Sequence, residues 1–122
     1  MTTVPRHVEK PWGSELWWAL TDDYAGKILR VRAGHRLSVQ YHVRKDETSY
    51  VLSGRLVLYK GPSADDLTET EIGPGHCWRN LPGEVHTIEA IEDAEVLEVS
   101  TPHLDDVVRL SDAYGRVGVS GT

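Results

Sequence analysis

Apolar residues in this chain recur at every second position rather than every third or fourth, in short segments closed by glycine, proline or aspartate. That alternation predicts an all-β chain with strands at 15–20, 27–32, 37–43, 48–53, 55–60, 67–72, 76–80, 86–91 and 95–101. Ala33-Gly34, Ser53-Gly54, Gly61-Pro62, Gly73-Pro74-Gly75 and Pro82-Gly83 supply the turns, because glycine accepts positive φ and proline presets a turn angle. Such even spacing predicts a sandwich or barrel. One segment departs from the pattern. In "HLDDVVRLSDAYG", Leu104, Val107, Val108 and Leu110 roughly share a helical face, with Asp105 and Asp106 where a helix dipole favours acids, which predicts a short C-terminal helical segment.

Residues two apart on a strand share a face, so Ser38, Gln40 and His42 point one way and Leu37, Val39 and Tyr41 the other. After a polar connection, Glu47 opens the next strand on one face with Ser49 and Val51. Much later the tight Pro82-Gly83 turn is followed by His86. If that strand lies beside the hairpin, four ligand-type side chains converge: Gln40, His42, Glu47 and His86. His7, His35, His76 and His103 lack such partners and read as surface or core residues.

Composition narrows the classes. A chain of 122 residues predicts a single domain over 1–122. Acidic residues outnumber basic ones by 19 to 13 with no Lys/Arg block, which argues against nucleic acid as a partner. The lone Cys77 cannot form an internal disulfide, no leader pattern is visible, and no apolar run is long enough for a bilayer. The expectation is a cytoplasmic protein with no membrane partner. An exposed sheet edge predicts a homodimer, with the face of Leu37, Val39 and Tyr41 as its interface. Arg30 and Arg32 share a face suited to a phosphate, and Arg109 and Arg116 can tie the tail to Asp105, Asp106 or Asp112. Trp12, Trp17, Trp18 and Trp78 read as core or contact aromatics before sugar platforms. Cys77 is either an additional ligand or a small buried hydrophobe.

The run Gly34, Gln40, His42, Glu47 and Gly54, followed by Gly75, Pro82-Gly83 and His86, resembles the two motifs of the cupins, with Gln40 where the first histidine usually stands. The resemblance implies the double-stranded β-helix, a small jelly-roll barrel, with the metal motifs within 34–54 and 75–90. "LSVQYHVRKDE" is similar, more narrowly, to mannose-6-phosphate isomerases and to the cupin domain of bifunctional mannose-1-phosphate guanylyltransferases, where Gln-x-His followed by a glutamate is native. "KPWG" at 10–13 and "DDVVRLSDAYGR" at 105–116 resemble the ends of that domain. The resemblance implies Gln40, His42, Glu47 and His86 as metal ligands, and Lys45 as a candidate for substrate or proton handling.

One carboxylate among neutral donors leaves a divalent ion a good Lewis acid, and an amide oxygen in place of an imidazole hardens the set toward zinc or manganese. Aldose–ketose isomerisation uses such an ion to hold the negative oxygens of an enediolate. Hydroxide on the ion, a loosely held Glu47, or Lys45 with a lowered pKa can serve as the base. Two other readings fit. His42, Glu47 and His86 form the two-His-one-carboxylate set of Fe(II) dioxygenases, and the barrel can also serve as a non-catalytic sugar-binding module. Each takes a small carbohydrate or carbonyl compound.

Overall fold

The computed structural model describes residues 2–120, with side chains through 118. Among them the strands are β1 (Arg6–Lys10), β2 (Gly13–Leu20), β3 (Ala25–Val31), β4 (Val39–Tyr41), β5 (Glu47–Ser53), β6 (Leu56–Ser63), β7 (Asp66–Ile72), β8 (Cys77–Asn80), β9 (Val85–Ala90), β10 (Ala94–Ser100), β11 (Val107–Ser111) and β12 (Gly118–Ser120). They form two six-stranded antiparallel sheets, ordered β1-β2-β3-β10-β5-β8 and β12-β11-β4-β9-β6-β7. From β4 onward the chain passes repeatedly between the sheets, as in a jelly roll. Among the described residues no helix is long and apolar enough to cross a membrane.

Alternation decides which side chains enter. On β3, β5 and β10 the inward residues are Lys27, Leu29 and Val31; Glu47, Ser49 and Val51; and Ala94, Val96 and Glu98. Register aligns them in layers, with Leu29, Val96 and Val51 side by side and Lys27 opposite Glu98. One end of the barrel is therefore apolar, built around Val51, Leu56 and Val96, which have no exposed surface. The other end is lined with charge.

The tail differs from the sequence-based expectation of a helix. Residues 107–111 form β11, which pairs with β4 and β12 and buries Val107 and Arg109 while Val108 and Leu110 face outward. Two adjacent β-branched valines suit a strand, and β4 needs a neighbour for its backbone groups. The strand expected at 37–43 shortens to Val39–Tyr41. Leu37 turns onto the core, its N–H donating to Ile88 at 3.1 Å, so it does not share an outer face with Val39 and Tyr41. β1 and β12 went unpredicted because RHVEK and GVS carry too few apolar residues to show a period.

Candidate metal centre

His42, Glu47 and His86 lie at the charged end with all three side chains buried. Glu47 Oε1 stands 2.6 Å from His42 Nε2 and 3.4 Å from His86 Nε2. The two rings tilt at 46° with centroids 5.1 Å apart. One ligand atom from each residue fits within a 4.8 Å set.

The backbone orients both rings. His42 Nδ1 is 2.6 Å from the Asp106 carbonyl, and His86 Nδ1 is 3.1 Å from the Glu84 carbonyl. A carbonyl only accepts, so each Nδ1 carries the proton and each Nε2 presents a bare lone pair. Glu47 is held well below the usual carboxylate range: burial pushes it up, but Lys45, Glu98, His42 and His86 outweigh that. With both rings neutral, two Nε2 lone pairs and a carboxylate oxygen meet there. His42 Nε2 and Glu47 Oε1 are buried without a hydrogen-bond partner, which a cation would resolve. Metal bonds of about 2.1 Å at a tetrahedral angle set donors roughly 3.4 Å apart. His86 and Glu47 meet that spacing, and His42 need open only slightly.

Local sequence explains the convergence. Gln40 and His86 are direct cross-strand partners, which places β4 beside β9 and meets the condition on which the sequence reading rested. Gly83, at φ 85°, lets the Pro82-Gly83 turn close so that its N–H donates to the His42 carbonyl at 2.8 Å. Asp106 fixes the β4–β5 connection: its carboxylate accepts from the N–H groups of Val43, Arg44 and Lys45 at 3.0, 2.6 and 2.9 Å. Burial raises the Asp106 pKa, but these three donors hold it below the ordinary value.

Gln40 lines the cavity with His42 and Glu47, and its Oε1 accepts from Ser38 Oγ at 3.3 Å. Lys45 is also buried, with Nζ 3.2 Å from Glu98 and 4.0 Å from Glu47. Burial would lower its pKa, yet the two carboxylates raise it above the ordinary lysine value, so the lowered pKa expected of a lysine base is not found. Glu98 was not anticipated; burial and the neighbouring Glu47 push it up to about 8 against the pull of Lys45. Further along, Lys27 Nζ lies 3.2 Å from Glu15 Oε1, and Trp17 Nε1 donates to the same oxygen at 2.8 Å. Glu15 and Lys27 border, with His42 and Glu47, a narrow cleft of about 60 Å³ that opens to solvent, where Lys10, Lys27, Lys45, Arg109 and Arg116 face Glu15, Glu47 and Glu98.

Other expected sites lie elsewhere. Arg30 pairs with Glu95 and Arg32 donates to the Pro11 carbonyl, both on the exterior, so they do not face the cleft. Cys77 is exposed, neither ligand nor core. Trp12 is core, and Trp78 packs against it. Arg116 pairs with Asp112 at 2.9 Å, an ion pair within the tail itself.

No family model matches the chain. It is 34% identical over 119 residues to the mannose-1-phosphate guanylyltransferase of Escherichia coli K12, across 93% of this chain and 24% of that protein. It thus spans about a quarter of the length of that relative. KdgF from Halomonas superimposes with a TM-score of 0.70 at 19% identity, over 80% of this chain and 88% of that one. An RmlC-like cupin from Shewanella frigidimarina gives a TM-score of 0.71 at 14% identity, over 80% and 84%.

Proposed function

The chain is a cupin, and from that premise we propose that it binds a divalent metal through Gln40, His42, Glu47 and His86 and isomerises a sugar phosphate between its aldose and ketose forms. The observation that carries this reading is the meeting of two imidazole nitrogens and a carboxylate oxygen at the wall of a cleft, lined by His42 and Glu47, that carries five cationic side chains against three carboxylates. Zinc or manganese suits this donor set. When bound, the ion supplies Lewis acidity toward a carbonyl and its neighbouring hydroxyl.

The chain's own residues do the rest. Lys10, Arg109 and Arg116 line the cleft together, and their shared charge suits the phosphate end of the substrate. Lys45, kept charged against Glu98, donates to a sugar oxygen and stabilises negative charge as it develops there. The isomerisation moves one proton between C2 and C1 and one between their oxygens, so it needs no oxidant. The guanylyltransferase relative links the fold to mannose phosphate chemistry, which makes mannose 6-phosphate and fructose 6-phosphate the first pair to test.

Elemental analysis of tag-free protein beside His86→Ala and Gln40→Ala tests the metal. Near-stoichiometric zinc or manganese, lost in both variants, is the expected result. Solvent deuterium entering C2 of the sugar phosphate then tests the reaction. Iron with oxygen consumption would replace isomerisation by dioxygenation, and no metal after adding it back would end the four-ligand reading.

A further inference from the structure

A cation at the candidate metal centre answers His42 Nε2 and Glu47 Oε1, but two further side-chain atoms are buried without a hydrogen-bond partner among the described residues, Trp78 Nε1 and Asn80 Oδ1. They stand two apart on β8, so both side chains share one face of the sheet. That face is the inner one, since Asn80 is buried and Trp78 packs against the core. Strand pairing sets Trp78 opposite Ser49 and Asn80 opposite Glu47, and Ser49 in turn lies opposite Glu98 on β10. These residues border a small interior chamber of about 30 Å³. Gln40, Glu47 and Glu98 line both this chamber and the cleft, and so form the partition between them.

We propose that the chamber is a binding site for ordered water, one molecule of which accepts from the Trp78 indole N–H and donates to Asn80 Oδ1. The chemistry of the two unanswered atoms selects the occupant. An indole N–H only donates, so it repels a cation. An amide oxygen only accepts, and with the Glu47 carboxylate on the neighbouring strand it repels an anion. An apolar occupant would leave both atoms desolvated and unpaired. What remains is a small neutral molecule that gives and takes hydrogen bonds at once.

The size agrees. A water needs roughly 10–15 Å³ of such space and two to four polar partners, so the chamber holds one molecule with room for a second. Ser49 supplies the third partner, because a hydroxyl turns either to donate or to accept. Thr87, also on the wall, is already committed, its Oγ1 donating to the Leu37 carbonyl at 2.9 Å. The water belongs to the folded barrel with or without metal, and the site stands apart from the isomerase reading.

Solution NMR of the intact chain tests this. A held water gives the Trp78 indole proton Overhauser signals at the water frequency that are opposite in sign in the laboratory and rotating frames, whereas proton exchange gives them one sign. Opposite signs are expected, with the indole resonance identified by its loss in Trp78→Phe. Asn80→Leu removes the acceptor and should abolish the water signal. A crystal structure of the parent should place one oxygen within about 3 Å of both Trp78 Nε1 and Asn80 Oδ1. Signals of one sign in the parent would overturn the proposal, as would a crystal structure with no oxygen there. A water signal indifferent to Asn80→Leu, in a variant of unchanged circular dichroism, would do the same. Both parent measurements decide the matter if that variant fails to fold.

Discussion

Asp106 acts on the candidate metal centre twice, through a carbonyl that fixes the His42 ring and a carboxylate that gathers three N–H groups of the β4–β5 connection. Replacing it with alanine keeps the carbonyl but frees the loop that aims it. Metal affinity should fall about 10–100-fold, the usual cost of losing an outer-shell partner, as measured by competition with a chelating dye. Asp106→Asn retains one acceptor and should fall between. Glu15 poses a different test, since it neutralises Lys27 away from the metal ligands. Burial raises its pKa, but Lys27, Lys10 and Trp17 hold it below the usual 4.5. A carboxyl depressed by folding stabilises above its unfolded pKa, and that contribution is lost as pH falls through the folded one. Glu15→Gln should therefore cost about 3–5 kcal/mol at neutral pH by leaving buried Lys27 unpaired. It should also flatten the loss of stability on acidification, read from urea unfolding at a series of pH values.

At the scale of elements, the turn before β9 matters more than its size suggests. Gly83 sits at φ 85° with open space around it, so alanine there meets no clash but adopts a left-handed backbone. Gly83→Ala should cost about 1–2 kcal/mol in urea unfolding, and metal affinity should drop with it because the same turn aims His86. This turn and the positions of Gln40, His42 and Glu47 on their strands were legible from spacing, since period-two alternation and glycine placement act locally, whereas the β4–β9 pairing entered only as a condition. β11 was misread because Leu104, Val107 and Val108 fit a helical spacing over so short a run. Only pairing with β4, a contact distant in sequence, decides for a strand. Glu98 and Lys27 were overlooked although each shares parity with buried neighbours, Val96 in one case and Leu29 and Val31 in the other. A charged residue in phase with the core was the available signal. What makes burial tolerable is the opposite charge on another strand, and no single segment displays that.

For the whole molecule, the interior holds Lys27, Lys45 and Arg109 against Glu15, Glu47 and Glu98, and with Glu98 pushed up to about 8 the carboxylates carry no excess of negative charge at neutral pH. A metal ion added to that balance must be held by lone pairs rather than by excess negative charge, so its affinity should depend on the imidazoles more than on overall acidity. Binding to the folded state alone stabilises it by about 2.7 kcal/mol at a hundredfold excess over Kd. For a chain of this length the melting temperature should rise by on the order of 10 °C. Calorimetry with and without added zinc or manganese measures this, and His42→Ala or His86→Ala should abolish the rise. If the three acceptors were instead bridged by a proton alone, metal would leave the melting temperature unmoved in every variant. Acidification would then be what steadied the site. The two cases separate cleanly in one experiment, because the metal's effect grows with its concentration at fixed pH and the proton's does not.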